Sequence, residues 1–333
     1  MKKFLKLVLC GVALFVLLML TPRIHGFLLP GKPPVGYHFL WSTYLAVAAG
    51  LEEVIDTDPE IPGDIDALHD IEFKNVDGKS VQLDLYRPKQ MEIGAPLLIM
   101  IHGGSWRWGH RSDMVRLLVD FAQRGYATAT LSYRLEGYPA SVEDVVDGIN
   151  WLYDHSEEYG YDRDRIALVG ASAGAHLALL VAYGWSGAPE DDTPALSPDR
   201  VKAVVNLFGP VDLTTSFAVE RPTVSWFFGR TYDEDPQLYA HASPISHVHP
   251  GAPPTLTIHG TSDEIVPNSQ ADQLNHRLDS MGVVHEDYRF PLWPHALILV
   301  SRVYDFCLPK MDDFLRRHLS VTSDPVVVRH DSE

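Results

Sequence analysis

Ser172 stands in Gly170-Ala171-Ser172-Ala173-Gly174, between an apolar run at 165–169 and a second apolar run from Ala175. Four small residues around one hydroxyl suit a G-x-S-x-G turn, in which a strained strand-to-helix corner carries the serine outward at a helix N-terminus. A serine hydroxyl is a poor nucleophile until a base takes its proton, so a histidine and an acid are required elsewhere. Asp263 is placed to be that acid, in the loop that follows the apolar stretch 255–259 within His259-Gly260-Thr261-Ser262-Asp263-Glu264-Ile265-Val266-Pro267. Glu264 is the alternative acid, and an Asx turn or helix cap is the alternative role for Asp263. His295, in Pro294-His295-Ala296 after the last strand-like run, is the candidate base; otherwise it caps the terminal helix. The chain order Ser, Asp, His is that of a sheet whose strand ends carry such a trio.

A second group gathers at the end of the apolar run 97–101, where His102-Gly103-Gly104-Ser105-Trp106 follows. Two glycines free the backbone to aim amides at a developing oxyanion together with the amide of Ala173, against a plain strand-end turn. Trp106, Tyr133 and Trp293 flank these motifs and either line the pocket or pack in the core. His241, His247 and His249 lack the carboxylate partner and the spacing of a metal site and read as a rim loop. No metal and no cofactor is expected.

The elements that must position these residues follow a regular order. Residues 70–74 and 81–86 alternate apolar with polar around Asp77-Gly78, an antiparallel hairpin. Strand-like runs follow at 97–101, 127–132, 165–169, 201–207, 255–259 and 286–290, with helices expected at 115–122, 142–153, 175–183, 269–281 and 297–319. Strands alternating with helices after a leading hairpin give an α/β fold, a mostly parallel central sheet with helices on both faces. The aromatic, turn-rich stretch 210–249 interrupts the alternation and is expected to be a small cap insertion. The domain therefore occupies 65–319, with a polar tail at 320–333.

The chain has 333 residues, 46% hydrophobic and 21% charged, with a formal net charge of -17. An acidic chain without a Lys/Arg cluster does not track phosphates, which excludes a nucleic-acid partner. Cys10 and Cys307 are the only cysteines, too few for a disulfide framework or a cysteine-based metal site. Lys2, Lys3 and Lys6 precede the uncharged run 7–20, which Thr21-Pro22-Arg23 ends. This segment, within 1–34, reads as a signal or a membrane anchor, and without a small-x-small site an uncleaved anchor is favoured. The apolar stretch 35–51 spans, lies in the interface or packs on the domain, and the basic flank places the bulk of the chain outside the cytoplasm. From Glu52 to Glu72 nine acids occur with no Lys or Arg, so 35–64 reads as an apolar and then solvated acidic connector.

Together, HGGSW, GASAGA, HGTSDEIVP and PHA resemble the esterase and lipase branch of the α/β-hydrolases, which includes hormone-sensitive-lipase-like enzymes, acetyl and feruloyl esterases and kynurenine formamidase-like proteins. The similarity covers about residues 65 to 319. It implies an α/β-hydrolase fold, Ser172 as nucleophile, His295 as general base, Asp263 as its orienting acid, and oxyanion amides at Gly104, Ser105 and Ala173. HGGSW departs from HGGG and GASAGA from GDSAGG, which points to short-acyl esters or formamides. The expected activity is a serine carboxylesterase acting on a small-molecule ester. An amidase, formamidase or peptidase using the same trio is the alternative, and a non-catalytic binding protein on the same fold is the rival from another class.

Overall fold

Asp77 and Gly78 both take positive φ, 51° and 80°, as a two-residue turn between right-twisted strands demands. They join β1 (Ile65–Val76) to β2 (Lys79–Pro88), with Val76 opposite Lys79. The computed structural model describes residues 2–29, 31–187, 196–197 and 199–320; the tail beyond Ser320 lies outside them. In chain order the principal helices are α1 (Lys2–Leu28), α2 (Leu40–Ala48), α3 (Val115–Ala122), α4 (Ala140–Asp154), α5 (Ala173–Ala182), α6 (Ser269–Met281) and α7 (Ser301–Leu319). The remaining strands are β3 (Ala95–Ile101), β4 (Ala127–Leu131), β5 (Tyr161–Ala171), β6 (Val201–Leu207), β7 (Thr255–Gly260) and β8 (His285–Phe290).

The eight strands form one sheet in the order β1-β2-β4-β3-β5-β6-β7-β8, antiparallel at β1 and β2 and parallel from β4 onward. β3 shows why its sequence is apolar throughout. Leu97, Ile99 and Ile101 face the core under α4, α5 and α6, whereas Leu98 and Met100 face the core under α3 and α7. A strand covered on both sides has no polar face to spend. The expected helix at 297–319 is divided: Leu297–Leu299 is a single tight turn, Val300 is extended and pairs with Val54, and α7 begins at Ser301.

The apolar stretch 35–51 packs on the domain. Its helix α2 has nine residues, about 14 Å, against the roughly 30 Å of a bilayer core. Gly36 N donates to Pro291 O (2.7 Å), Trp293 Nε1 to Pro34 O (3.0 Å) and Arg302 Nη2 to Val35 O (2.9 Å). Glu52, expected in a solvated connector, is instead buried, accepting from Arg302 Nε (2.8 Å) and Tyr37 OH (2.7 Å). The other acids from Glu53 to Glu72 are exposed or half-buried. The Arg302 guanidinium also lies 4.7 Å from the Trp293 ring centroid, so one cation joins the segment before the sheet to the loop after it. α1 is long and apolar enough, from Val8 to Leu28, to cross a membrane by length and composition.

All ten residues of α5 are buried, and His176 is its one polar side chain. Nδ1 of His176 accepts from Trp106 Nε1 (3.2 Å), so Nε2 carries the proton and donates to Ala242 O (2.8 Å). The stretch 210–249 forms short helical turns at Ser216–Val219, Pro222–Phe228 and Pro236–His241. Its aromatics turn inward on the α4/α5 side, with Phe227 stacked 4.5 Å from Trp106.

Two stability predictions follow from this packing. Glu52→Ala leaves Arg302 and Tyr37 without their acceptor and should cost about 3 kcal/mol, seen as a calorimetric Tm several degrees lower; an unchanged Tm would remove Glu52 from the account of stability. Burial pushes His176 down to about 4 against the opposing pull of Ala242 O, while an unfolded histidine takes its proton near 6.5. Stability is therefore full above pH 6.5 and should fall by about 3 kcal/mol as pH drops to 4. His102, also lowered by burial, acts in the same direction. Urea unfolding at pH 7.5 and 4.5 checks this; equal midpoints would mean that His176 is not buried neutral.

Candidate active site

The sequence-expected chemical residues come to one edge, the carboxyl ends of the parallel strands. Ser172 follows β5, the 103–105 loop follows β3, Asp263 follows β7 and His295 follows β8. Side chains there share the crevice outside the sheet, the usual ligand position in such folds.

Ser172 has φ 53° and ψ -119°, a conformation that costs a non-glycine residue of order 1–3 kcal/mol. The corner is tight because α5 starts at once. A Cβ on Gly174 would lie 2.1 Å from Ile101 O and 2.3 Å from His102 O, so only glycine lets the helix enter beside β3. Ser172 N donates to Leu207 O (2.8 Å), which fixes the corner against β6. Ala173 is the first helical residue, where an amide has no intrahelical acceptor.

Ser172 Oγ and His295 Nε2 are 3.0 Å apart, and His295 Nδ1 and Asp263 Oδ2 are 2.7 Å apart. Asp263 is buried, which by itself would raise its pKa. Hydrogen bonds from His259 and His295, the His295 charge and the Val266 amide outweigh this and hold it at about 2. An ionised Asp263 makes Nδ1 of His295 the donor and leaves Nε2 free to accept from the serine hydroxyl. The other carboxylate oxygen accepts from the amides of Ile265 (2.9 Å) and Val266 (2.8 Å). Glu264, the alternative acid, lies at the site through a different contact: its Oε2 accepts from the His295 amide at 3.4 Å.

His259 was not singled out in the sequence, although it opens the motif that holds Asp263. It is fully buried, with Nε2 2.9 Å from Val266 O and 3.3 Å from Asp263 Oδ2. Both neighbours are acceptors, so Nε2 is protonated and steadies the acid and its loop together.

The 103–105 loop turns back sharply. Gly104, Ser105 and Trp106 have φ of 117°, 53° and 60°, and Gly104 O accepts from the amides of Arg107 and Trp108. A Cβ on Gly104 would meet Trp108 O at 2.2 Å. Gly104, Ser105, Ser172 and His295 border one cavity of about 360 Å³. Its apolar wall comes from Ile55, Met114, Leu117, Phe208, Ile265 and Leu299. Phe208 sets its ring edge against His295, centroids 4.7 Å apart. A hydroxyl, an imidazole and a carboxylate in hydrogen-bonded series beside such a cavity can move a proton from oxygen to nitrogen while an apolar group is held next to it.

The candidate lining aromatics occupy other places. Trp106 packs against His176 and Phe227, Tyr133 OH donates to His102 O (3.0 Å), and Trp293 is fully buried against Pro34 and Arg302. They support the motifs from behind, and none borders the cavity. Nor does any residue of 210–249, since that stretch covers the α4/α5 face while the cavity lies on the α3/α7 face. Ile55 and Thr57 of the connector close it instead. His241 and His247 each spend Nε2 on a backbone carbonyl, and His249 Nδ1 accepts from Gly251 N.

The chain is similar to known proteins in both sequence and fold. The family model BD-FAE matches residues 83–278. Esterase LipQ of Mycobacterium tuberculosis is 32% identical over 243 residues, 68% of this chain and 56% of LipQ. The probable isoprenylcysteine alpha-carbonyl methylesterase ICMEL1 of Arabidopsis thaliana is 27% identical over 77% of this chain and 52% of its own length. The chain thus spans about half the length of the curated relatives it matches. Among solved structures, the apo form of Thermogutta terrifontis esterase 2 superposes with a TM-score of 0.66 at 25% identity, covering 79% of this chain and 97% of that one. A truncated carbohydrate esterase from gut microbiota shares the fold at 21% identity, with a TM-score of 0.67 over 81% of this chain and all of that one. The fold, the strand-end crevice and the family match agree, and the chain belongs to the BD-FAE family of α/β-hydrolases.

Proposed function

We propose that this chain is a serine carboxylesterase that hydrolyses short-to-medium acyl esters of small molecules through an acyl-enzyme. The observation that carries this reading is the hydrogen-bonded series Ser172, His295 and Asp263, whose first two members lie on the wall of a largely apolar cavity. His295 Nε2 takes the Ser172 proton as Oγ attacks the ester carbonyl. The amides of Gly104, Ser105 and Ala173 hold the resulting oxyanion. Collapse breaks the bond to the alcohol oxygen, which leaves with the proton from His295. A water then repeats the sequence on the acyl-serine and releases the acid. Asp263 stays ionised throughout and stabilises the imidazolium.

The relatives support the choice of bond, being an esterase and a probable methylesterase by description. The cavity supports a modest acyl group, since about 360 Å³ is near the lower end for ligand pockets. We further propose that α1 holds the protein to a membrane with the domain outside the cytoplasm, in keeping with Lys2, Lys3 and Lys6 on its N-terminal flank.

On p-nitrophenyl butyrate, Ser172→Ala should lower kcat about a millionfold with Tm nearly unchanged, and Asp263→Asn should lower it about ten-thousandfold with a lower Tm as well, since the buried carboxylate is held by His259 and the Ile265 and Val266 amides. Measurable turnover by purified Ser172→Ala would sink the nucleophile assignment. A p-nitrophenyl series from acetyl to palmitoyl should peak at short or medium chains; if the matching anilides are turned over and the esters are not, the bond assignment falls.

A further inference from the structure

α2 presents a face that the domain leaves uncovered. Phe39, Leu40, Trp41, Tyr44 and Leu45 are 41% to 61% exposed, an aromatic-rich patch on an acidic chain. What covers it is indicated by its contacts with α1. Phe15 stacks on Trp41 with ring centroids 6.2 Å apart, Met19 is buried with Tyr37 and Ala46, and Arg23 Nη2 donates to Leu51 O (2.6 Å). Contacts that rise together along both segments mean that α2 runs parallel beside the C-terminal half of α1. Phe15 lies eight residues below Arg23, about 12 Å along the helix, within the half-thickness of a bilayer core. Any membrane that accepts α1, with Arg23 at its surface, therefore receives α2 as well. The start of α2 is prepared for such a setting: Phe39 N donates to Ser42 Oγ (3.2 Å) and Phe39 O accepts from Ser42 N (2.9 Å), so its polar ends pair locally.

The cavity opens close by. Glu52, hydrogen-bonded to Tyr37, is three residues from Ile55, no more than about 10 Å of chain. Ile265 and Leu299, half-exposed, form the cavity rim with Ile55, and Val54 beside them is 52% exposed. We propose that α2 dips its Phe39–Leu45 face into one leaflet, so that the cavity mouth faces the bilayer and receives lipophilic esters from it. This rests on the ester-hydrolase reading for its substrate, and on geometry alone for its surface. With a net charge of -17, attraction to anionic lipid contributes nothing, and apolar and aromatic insertion must carry the contact.

The full-length chain, reconstituted in phosphatidylcholine vesicles, provides the test. In a Cys10→Ser background, an environment-sensitive fluorophore is attached at Tyr44→Cys, at Leu14→Cys as the lipid reference and at Ile93→Cys as the water reference. The label at position 44 should match that at 14, blue-shifted and quenched by brominated lipid; a label at 44 that behaves like the one at 93 overturns the proposal. The double variant Trp41→Glu, Tyr44→Glu should leave turnover of soluble p-nitrophenyl acetate unchanged. It should lower hydrolysis of hexadecyl octanoate held in the vesicles by about tenfold or more. Equal effects on both esters, or none on either, would overturn delivery from the bilayer. A wild-type chain that hydrolyses neither ester refutes the hydrolase reading, and the label depth then decides the surface by itself.

Discussion

The corner at Ser172 is the constraint on which the rest depends. A serine at φ 53° and ψ -119° is stored strain, and it persists only because neighbours leave it no alternative. β5 is paired on both sides, by β3 and β6, so the incoming strand cannot shift. α5 is wholly buried and touches the β3 terminus through a glycine that no other residue can replace. Between a fixed strand and a fixed helix, the one residue left must turn out into the crevice. The same squeeze brings the 103–105 loop alongside, since a Cβ on Gly103 would already lie 3.3 Å from that of Ser172. The candidate nucleophile and the candidate amides are thus registered by sheet packing rather than by loop flexibility.

His295 and Asp263 obey the same logic at longer range. Each lies a few residues past the end of a parallel strand, and β7 and β8 are adjacent, so a separation of 32 residues in sequence becomes one hydrogen bond. His259, at the end of β7, holds the Asp263 loop from inside the core. Its Nδ1 has no hydrogen-bond partner among the described residues, while Nε2 serves both Val266 O and Asp263.

Much of this was legible because turn chemistry and apolar runs mark strand ends. Ser172 and Asp263 follow apolar strands with glycine close by, and His295 stands directly after a proline, although the strand before it, His285–Phe290, is largely polar. Boundaries were less legible where the ladder is irregular: β1 begins at Ile65, ahead of the expected residue 70, because register shifts after Leu68 and after Glu72 break its alternation. The cavity wall was not legible at all. Ile55, Met114, Leu117, Ile265 and Leu299 come from separate segments, and an apolar side chain that lines a cavity reads the same as one that fills a core. The aromatic stretch 210–249 misled for the opposite reason, since its composition suits a lid but the topology delivers it to the α4/α5 face. Glu52 was hidden among eight other acids, and only the position of Arg302, 250 residues onward, distinguishes it.

That separation has a kinetic side. Contacts between distant residues close late, because the intervening chain must first be ordered. During synthesis at roughly 5–20 residues per second, the 250 residues between Glu52 and Arg302 take on the order of 10–50 s to appear. Until then Glu52 is a carboxylate awaiting its cation, and Pro34 and Gly36 lack the loop they will meet. Trp293 and Arg302 come into being only nine residues apart, so the whole brace forms in one late event. Segments 34–52 and 291–302 therefore mature together, and the loop carrying His295 acquires its backing only after Arg302 has been made.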